Sequence, residues 1–263
     1  MARPAGSGEP TELLYGLHAV REALRAGTRS FVKLLLLHRE RQFGEIARRA
    51  REVGVPVHVE PREALDRLVP GGRHQGVVGV VAAKAYDTAD HLIRQVQSQP
   101  EPAMVVVLDG VEDPHNLGAI LRSAEAAGVH GVFVPERRAA GLTGIVAKTS
   151  AGALEHVPVA RVGNVGRLLD ELKAQGLWVY GLDPSAPTPY TNVDFRQPVA
   201  VVLGGEGAGV RPGVLAHCDQ RIGIPMRGRV ASLNVSAAAA VVLFEIVRQR
   251  RGGGNQERRP SEA

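Results

Sequence analysis

The stretch "AMVVVLDGVEDPHNLGAILRSAEAAGVHGVFV", residues 103–134, predicts a strand, a loop, a helix and a second strand. Its two apolar runs, AMVVVL and VHGVFV, are continuous rather than alternating, which is typical of strands in a parallel sheet covered on both faces. Between them, helical periodicity gives one inward apolar face made of Leu117, Ile120, Leu121 and Ala124. The sequence therefore predicts an α/β fold built on a parallel sheet.

The same alternation continues on both sides and divides the chain. Over 11–84, three helical and three strand patterns predict a small α/β domain. Residues 85–100 lose the strand pattern and predict a linker that carries some helix. Four further apolar strands, HVPVA, LWVYG, VAVVL and RIGI, place a larger domain over 101–251. The two ends, 1–10 and 252–263, are expected to be disordered because they lack apolar periodicity.

Composition excludes several classes of protein. The chain has 263 residues, of which 44% are hydrophobic, so it can bury a substantial core. A single cysteine, Cys218, excludes an internal disulfide framework and a multi-cysteine metal site, and we expect no metal. The N-terminal residues have no apolar core of a secretory signal, and the longest apolar run, 237–244, is too short to span a membrane. We therefore expect a cytoplasmic protein.

The net charge of the chain is positive, and the charged residues are unevenly distributed along it. The formal net charge is +5, and residues 1–99 hold 15 Lys and Arg against 11 Asp and Glu. This excess is consistent with a nucleic-acid partner, although solvated helix faces explain it equally well. Aromatic residues make up only 4% of the chain, which argues against binding of single strands by base stacking.

Three loops after apolar strands carry unusual polar residues, and ligands of open parallel sheets bind at such carboxyl ends. In the first loop, Asp113 and Pro114 predict a turn and Asn116 is expected to cap the following helix. Arg122 falls on a different face of that helix from the apolar stripe. It is a candidate functional residue, or it forms a surface ion pair with Glu125 that contributes little.

The second loop is glycine-rich: "VVLGGEGAGVRPG", residues 201–213. Glycines after a strand indicate a backbone that passes close to a ligand. Glu206 lies inside the loop, and the Lys-Ser/Thr of a phosphate cradle is absent. The loop therefore favours a ligand that lacks phosphate or carries positive charge, while a tight turn at a sheet edge is the alternative.

The third loop lies in "IPMRGRVASLNVSAAAAVVLFE", residues 224–245. Ser232, Asn234 and Ser236 alternate with apolar residues ahead of an alanine-rich helix. Each is a good helix cap, but one cap is enough. We expect Ser236 to be the cap, Leu233 to face the core, and the other two polar side chains to line a small-molecule pocket.

Together these loops resemble motifs 1, 2 and 3 of the SpoU/TrmH family of RNA ribose 2′-O-methyltransferases, in the family's order. "YGLHAVREAL" and "RHQGVVGVV" near the N-terminus resemble the L30e-like substrate domain of bacterial 23S rRNA (guanosine-2′-O-)-methyltransferases. The resemblance covers about residues 13–250. It implies an N-terminal L30e-like α/β RNA-binding domain over 11–84, and a C-terminal SPOUT-type α/β catalytic domain with a deep trefoil knot over 101–251.

The resemblance also implies a function. The chain would transfer a methyl group from S-adenosyl-L-methionine to the ribose 2′-oxygen of a nucleotide in 23S rRNA, a guanosine, as a homodimer and without a metal. Alternatives are 2′-O-methylation of tRNA, or of another rRNA nucleotide such as an antibiotic-resistance site, and a non-catalytic RNA-binding or assembly protein. A dinucleotide-dependent oxidoreductase is disfavoured because the glycine loop lacks the dinucleotide fingerprint.

Site residues carried over from the motifs form two sets. The catalytic set is Arg122, Asn116, Glu206, Ser232 and Asn234. The cofactor-binding set is Gly204, Glu206, Gly207, Ile224, Met226 and Leu233. Because a guanidinium is not deprotonated in proteins, we expect Arg122 to bind an RNA phosphate and stabilise the developing oxyanion rather than act as a base. Gly205 stands where many relatives have serine.

Overall fold

A computed structural model describes residues 10–37 and 43–252, and the chain divides into two compact units, each built on its own sheet. The first unit takes in the N-terminal part through Ala85 together with residues 117–122 and 141–156, and the second unit takes in the rest. The two ends expected to be disordered lie outside the described residues, apart from Pro10 and Gly252.

The first unit is a mixed four-stranded sheet, in the order β1-β4-β2-β3, with helices packed on it. Its elements are β1 Thr11–Tyr15, α1 Leu17–Ala26, β2 Phe31–Leu37, α2 Gly44–Glu52, β3 Val57–Glu60, α3 Arg62–Leu68 and β4 Val77–Ala82. The three helices and three strands expected over 11–84 are present. The first strand, β1, was not predicted, because its sequence TELLY does not alternate between apolar and polar residues; it forms by pairing antiparallel to β4.

A buried ionic cluster holds part of the segment 141–156 within the first unit. The Glu155 carboxylate is fully buried and accepts a hydrogen bond from Thr28 Oγ1 at 2.6 Å. The Arg29 Nε atom lies 2.9 Å from Glu155 Oε1, and the same guanidinium pairs with Glu12. The ammonium of Lys84 lies 3.5 Å from Glu155 Oε2. Removing one partner would leave a buried charge uncompensated, which is strongly destabilising.

The second unit is a seven-stranded sheet in the order β11-β9-β10-β6-β7-β8-β5, and every pair in it is parallel. The elements that follow β4 along the chain are β5 Asp87–Thr88, α4 Ala89–Gln97, β6 Met104–Asp109, α5 Pro114–Ala127, β7 Gly131–Pro135, α6 Gly144–Thr149, β8 Val159–Val162, α7 Val165–Ala174, β9 Trp178–Leu182, β10 Val199–Gly204, α8 Pro212–Leu215, β11 Gln220–Ile222 and α9 Val235–Gly252.

The central strands of this sheet are apolar except for Asp109 at the end of β6, and Val105, Val106 and Val107 of β6 are fully buried. The predicted parallel α/β sheet is therefore confirmed, and the expected trefoil knot is consistent with it. Because all strands run the same way, the loops after β6 and β10 leave the sheet at one edge. This edge carries the candidate site.

The segment 85–100 differs from the linker that the sequence predicts. Residues 87–88 pair with β8 as an edge strand, and α4 follows at once. Leu92, Ile93 and Val96 of α4 are at most 5% exposed and belong to the apolar core of the second unit. Their helical spacing is the physical reason, since it gives α4 one apolar face to bury.

None of the described helices is both long and apolar enough to cross a bilayer.

Candidate active site

A cavity of about 500 Å³ opens between the glycine loop after β10 and the segment that precedes α9. We call it the main cavity. Six residues expected to bind a cofactor line it: Gly204, Glu206, Gly207, Ile224, Met226 and Leu233. Two of the expected catalytic residues, Ser232 and Asn234, line it as well. The structure thus brings the second and third loops together around one space.

The glycine loop folds back on itself, and its shape requires glycine. A Cβ on Gly204 would overlap the backbone of Gly209 and Val210, and a Cβ on Gly205 would overlap the carbonyl oxygen of Gly110. Gly207 has a φ of 79°, a left-handed conformation that side chains disfavour. Gly205 therefore fits its own surroundings, because a serine there would require residue 110 to move.

An ion pair between a buried aspartate and a partly exposed arginine fixes the end of this loop. The Asp109 side chain is fully buried at the end of β6 and accepts hydrogen bonds from the Arg211 backbone N at 2.9 Å and from its Nε at 2.8 Å. The hydrogen bond to Asp109 raises the pKa of the Arg211 guanidinium. Asp109 was not among the expected site residues, although an acidic residue directly after the apolar run AMVVVL was itself a signal.

A second cavity of about 320 Å³ adjoins the loop after β6, and Asn116 and Glu206 both line it. Glu206 lines the main cavity too, so the two spaces share this carboxylate. The Asn116 Nδ2 atom donates to Glu206 Oε1, and Asn234 Nδ2 donates to Asn116 Oδ1 at 3.1 Å. One residue from each loop thus enters a single hydrogen-bonded chain.

The expectation that Asn116 caps α5 is wrong. Asp113 is the cap: its side chain accepts from the His115 backbone N at 2.9 Å, and Pro114 is the first helical residue. Proline suits that position because its fixed φ matches the helix and it has no N–H to satisfy. Asn116 is instead inside the helix and 6% exposed, which leaves its amide free for Glu206 and Asn234.

Two expectations for the third loop are also wrong. Asn234, not Ser236, caps α9, because Asn234 Oδ1 accepts from the Ser236 backbone N at 2.9 Å and from its Oγ at 2.6 Å. Leu233 does not face the core: it is 40% exposed and lines the main cavity. The loop before α9 is not a regular strand, so alternation along it does not decide which side chains are buried.

Arg122 stands apart from the other expected residues. It is exposed on α5 and is not among the residues that line either of the two cavities. Among the described ion pairs, none joins Arg122 to Glu125, so the alternative of a surface ion pair is not realised. Its catalytic role remains a prediction.

Sequence reasoning missed one acidic residue of the main cavity. Asp183 follows β9 and lines the cavity, and the Ser185 backbone N donates to its Oδ1 at 2.8 Å. Its signal was its place directly after an apolar strand, like that of Asp109. The charged side chains among the described residues that line the main cavity are Asp183 and Glu206, both acidic. Asp183 is paired with Arg221, whose Nη1 atom lies 3.5 Å from Asp183 Oδ2. Glu206 takes part in no ion pair among the described residues, so its charge repels phosphate and attracts a cation.

Comparisons with known proteins agree with this geometry. A model of the SpoU rRNA Methylase family matches residues 103–244, and a model described as RNA 2′-O ribose methyltransferase substrate binding matches residues 13–87. A putative TrmH family tRNA/rRNA methyltransferase, YacO of Bacillus subtilis (strain 168), is 42% identical over 245 residues, which are 92% of this chain and 98% of that protein.

Solved structures agree as well. The SpoU methyltransferase AviRb from Streptomyces viridochromogenes, in complex with AdoMet, has a TM-score of 0.77 at 28% identity and covers 92% of each chain. The AdoMet-bound rRNA methyltransferase from Sinorhizobium meliloti has a TM-score of 0.75 at 26% identity, over 90% of this chain and 87% of that one. These matches confirm the resemblance found in the three loops, and the chain belongs to the SpoU rRNA Methylase family.

Proposed function

We propose that this protein transfers a methyl group from S-adenosyl-L-methionine to the ribose 2′-oxygen of a guanosine in 23S rRNA. The observation that carries the proposal is the chain of hydrogen bonds through Glu206, Asn116 and Asn234, which joins two adjoining cavities. A reaction between a cofactor and a polymer needs two such spaces that meet at the reacting atoms. Holding those atoms in line supplies much of the catalysis of a transfer.

The main cavity fits this cofactor. Its walls include Leu203, Val210 and Ile224, which suit an adenosine, and its acidic residues suit a sulfonium cation rather than a phosphate. Gly204 lets the chain pass where any side chain would collide, so backbone groups of the loop can approach a ligand closely. When bound, S-adenosyl-L-methionine supplies the methyl group, which needs no metal for its transfer.

The second cavity is the proposed place for the reacting ribose. Asn116 is held there by Glu206 on one side and by Asn234 on the other, so its amide has a fixed orientation. Ser232 and Asn234 line the neighbouring face of the main cavity. In our proposal Arg122 binds the adjacent RNA phosphate and stabilises the negative charge that develops on the 2′-oxygen, whose proton leaves to phosphate or water.

The choice of rRNA over tRNA rests on the N-terminal part of the chain. Residues 13–87 match the substrate-binding model, and the rRNA methyltransferase from S. meliloti aligns over 90% of this chain. Two solved structures of tRNA-modifying proteins align over only 66% and 57% of this chain. The relative YacO is named for both kinds of RNA, so tRNA is the second candidate substrate.

A transfer assay separates the two substrates. Labelled S-adenosyl-L-methionine is incubated with the protein and either unmodified bacterial 23S rRNA or bulk tRNA. We expect label in the 23S rRNA and none above background in the tRNA. Label in tRNA alone would keep the reaction and overturn the substrate. No label in either RNA, despite cofactor binding, would favour a non-catalytic RNA-binding role.

A further inference from the structure

The loop after β7, residues 136–140, is bonded at one end to a residue that lines the second cavity, and we call it the β7 loop. Because β7 lies between β8 and β6 in the sheet, this loop can contact the segments that follow either strand. It begins on the β8 side, where the Glu136 backbone N donates to Val162 O at 3.0 Å. It ends on the β6 side, where the Ala140 backbone N donates to Val111 O at 3.0 Å.

The β6 end of the β7 loop adjoins the second cavity. Val111 lines that cavity together with Asn116 and Glu206, and Ala140, which bonds to Val111, is only 7% exposed. Three residues lie between the anchored ends, Arg137, Arg138 and Ala139, and both arginines are exposed. Two exposed arginines thus lie in a short loop whose β6 end is bonded to a residue that lines the proposed ribose site.

The charge of these two arginines is not neutralised within the loop. Among the described ion pairs, neither Arg137 nor Arg138 takes part in one. The acidic neighbour, Glu136, lies on the far side: a Cβ placed on Gly163, in the loop after β8, would lie 3.9 Å from the Glu136 Oε2 atom. The carboxylate therefore sits toward β8 and leaves two positive charges on the stretch that runs toward β6.

The backbone at Arg138 supports a functional reason for these arginines. Its φ is 59°, a left-handed conformation that glycine adopts readily and arginine does not. Such conformations persist where surrounding structure enforces them, and they concentrate at functional sites. Arginine therefore occupies an exposed position whose backbone conformation favours glycine.

We infer that Arg137 and Arg138 bind backbone phosphates of the RNA next to the nucleotide in the second cavity, and so position that nucleotide on the β7 side. This inference rests on the proposed function and adds two phosphate-binding residues to it. Arginine forms bidentate hydrogen bonds to phosphate, and contacts of this type fix the register of a nucleic acid without reading its sequence. The two are positioning residues, because they would not touch the reacting atoms.

The test compares Arg138→Gly and the double variant Arg137→Ala/Arg138→Gly with the wild type. The salt dependence of binding to a 23S rRNA fragment is measured by filter binding, together with methyl transfer. Each lost phosphate contact should reduce the slope of log K against log salt by about 1 and raise the dissociation constant for RNA severalfold. S-Adenosyl-L-methionine affinity should not change, and the melting temperature of Arg138→Gly should equal or exceed that of the wild type.

Arg94→Ala is the matched control. Arg94 is an exposed arginine in the last turn of α4, which leads toward the start of β6 and therefore to the opposite edge of the sheet. The control removes the same charge and should leave the slope unchanged.

Equal slopes for all variants and the wild type, or an equal drop for Arg94→Ala, would overturn the inference while transfer by the wild type upheld the proposed function. Conversely, if the wild type transfers no methyl group but the slope falls only in the β7 loop variants, the proposed reaction fails and the RNA contact stands.

Discussion

At the scale of single residues, Asn234 serves two purposes with one side chain. Its Oδ1 caps α9, and its Nδ2 donates to Asn116. Asn116 is nearly buried, so the loss of either partner leaves part of its amide unsatisfied, at a typical cost of about 1–3 kcal/mol. Stability and activity are therefore coupled at this position, and substitutions can be chosen to separate them.

Asn234→Asp should separate the two purposes. An aspartate keeps the capping oxygen but cannot donate to Asn116, so we expect it to lose less stability than Asn234→Ala while the methyl-transfer rate falls at least tenfold. Asn234→Ala should lose both, with about 1 kcal/mol of stability lost from the cap. Ser232→Ala, which leaves the cap intact, should lower turnover only. Thermal melts and single-turnover transfer rates measure these effects, and a loss of stability without loss of rate would contradict the role in the site.

Arg122 offers a second test at this scale. If it binds phosphate and stabilises an oxyanion, Arg122→Lys keeps the positive charge and should retain part of the activity, whereas Arg122→Ala should lose about 100-fold or more in kcat. Both variants should bind S-adenosyl-L-methionine as the wild type does. If the lysine variant is as inactive as the alanine variant, and raising the pH rescues neither, phosphate binding is not the role of Arg122.

At the scale of elements, the shape of the glycine loop determines the cofactor site. The loop turns back so tightly that a Cβ on Gly204 would overlap the backbone of Gly209. The ion pair between Asp109 and Arg211 holds the end of the loop in place. Both constraints act on the backbone, which is the part of the loop proposed to contact the cofactor. A change of backbone course should therefore weaken binding without removing any polar group.

Gly204→Ala provides that change. The added methyl group collides with main-chain atoms, so we expect S-adenosyl-L-methionine affinity to fall at least tenfold and stability to fall by about 1–3 kcal/mol. Gly213→Ala is the matched control, because a Cβ there meets nothing within 4 Å and Gly213 lies in α8. Calorimetric titration and thermal melts compare the two. Wild-type affinity in Gly204→Ala would show that this loop does not hold the cofactor.

The sequence predicted the long helices and strands well, but it predicted the residues at their ends poorly. The apolar runs of β6 and β10 and the periodic face of α5 are strong signals, because burial imposes their pattern. The capping residues could not be predicted in this way. Neighbouring residues with equal capping ability compete, and tertiary contacts decide which of them caps the helix. Asp113 rather than Asn116 caps α5, and Asn234 rather than Ser236 caps α9. The two-residue strand 87–88 is too short to show any period.

At the scale of the whole molecule, contacts between distant parts of the chain escape sequence reasoning altogether. Arg29 and Glu155 are 126 positions apart, yet they meet in one buried cluster of the first unit. No local pattern marks either residue as buried. The site residues were found because three motifs are each local, whereas the hydrogen-bonded chain that joins Asn116 to Glu206 and Asn234 became visible only in the structure.

The proposed homodimer belongs to this scale too. Helix α9 carries an apolar stripe at helical spacing: Ala237 and Phe244 are exposed, and Val241 and Val247 are half-buried. A second copy of this chain would cover such a stripe in a self-complementary interface. Because Asn234 of the candidate site caps this helix, an interface along the helix would lie next to the site.

Phe244→Glu should therefore produce a monomer. Light scattering after gel filtration should give the mass of one chain, 27.9 kDa, for the variant and twice that mass for the wild type. Trp178→Glu is the matched control, because Trp178 is also 48% exposed but lies on β9. It should leave the dimer intact. A dimer that survives Phe244→Glu, or a wild type that is monomeric at micromolar concentration, would contradict the proposed interface.

The central claim is that one cavity binds a methyl donor and the other binds the ribose whose 2′-oxygen accepts the methyl group. The most direct test is to incubate the wild type with S-adenosyl-L-methionine and unmodified 23S rRNA, digest the RNA to nucleosides and identify the methylated product by mass. The account predicts 2′-O-methylguanosine, with the added mass on the sugar fragment, and none with Asn116→Ala. A methyl group on a base would contradict it, as would undiminished product from the Asn116 variant.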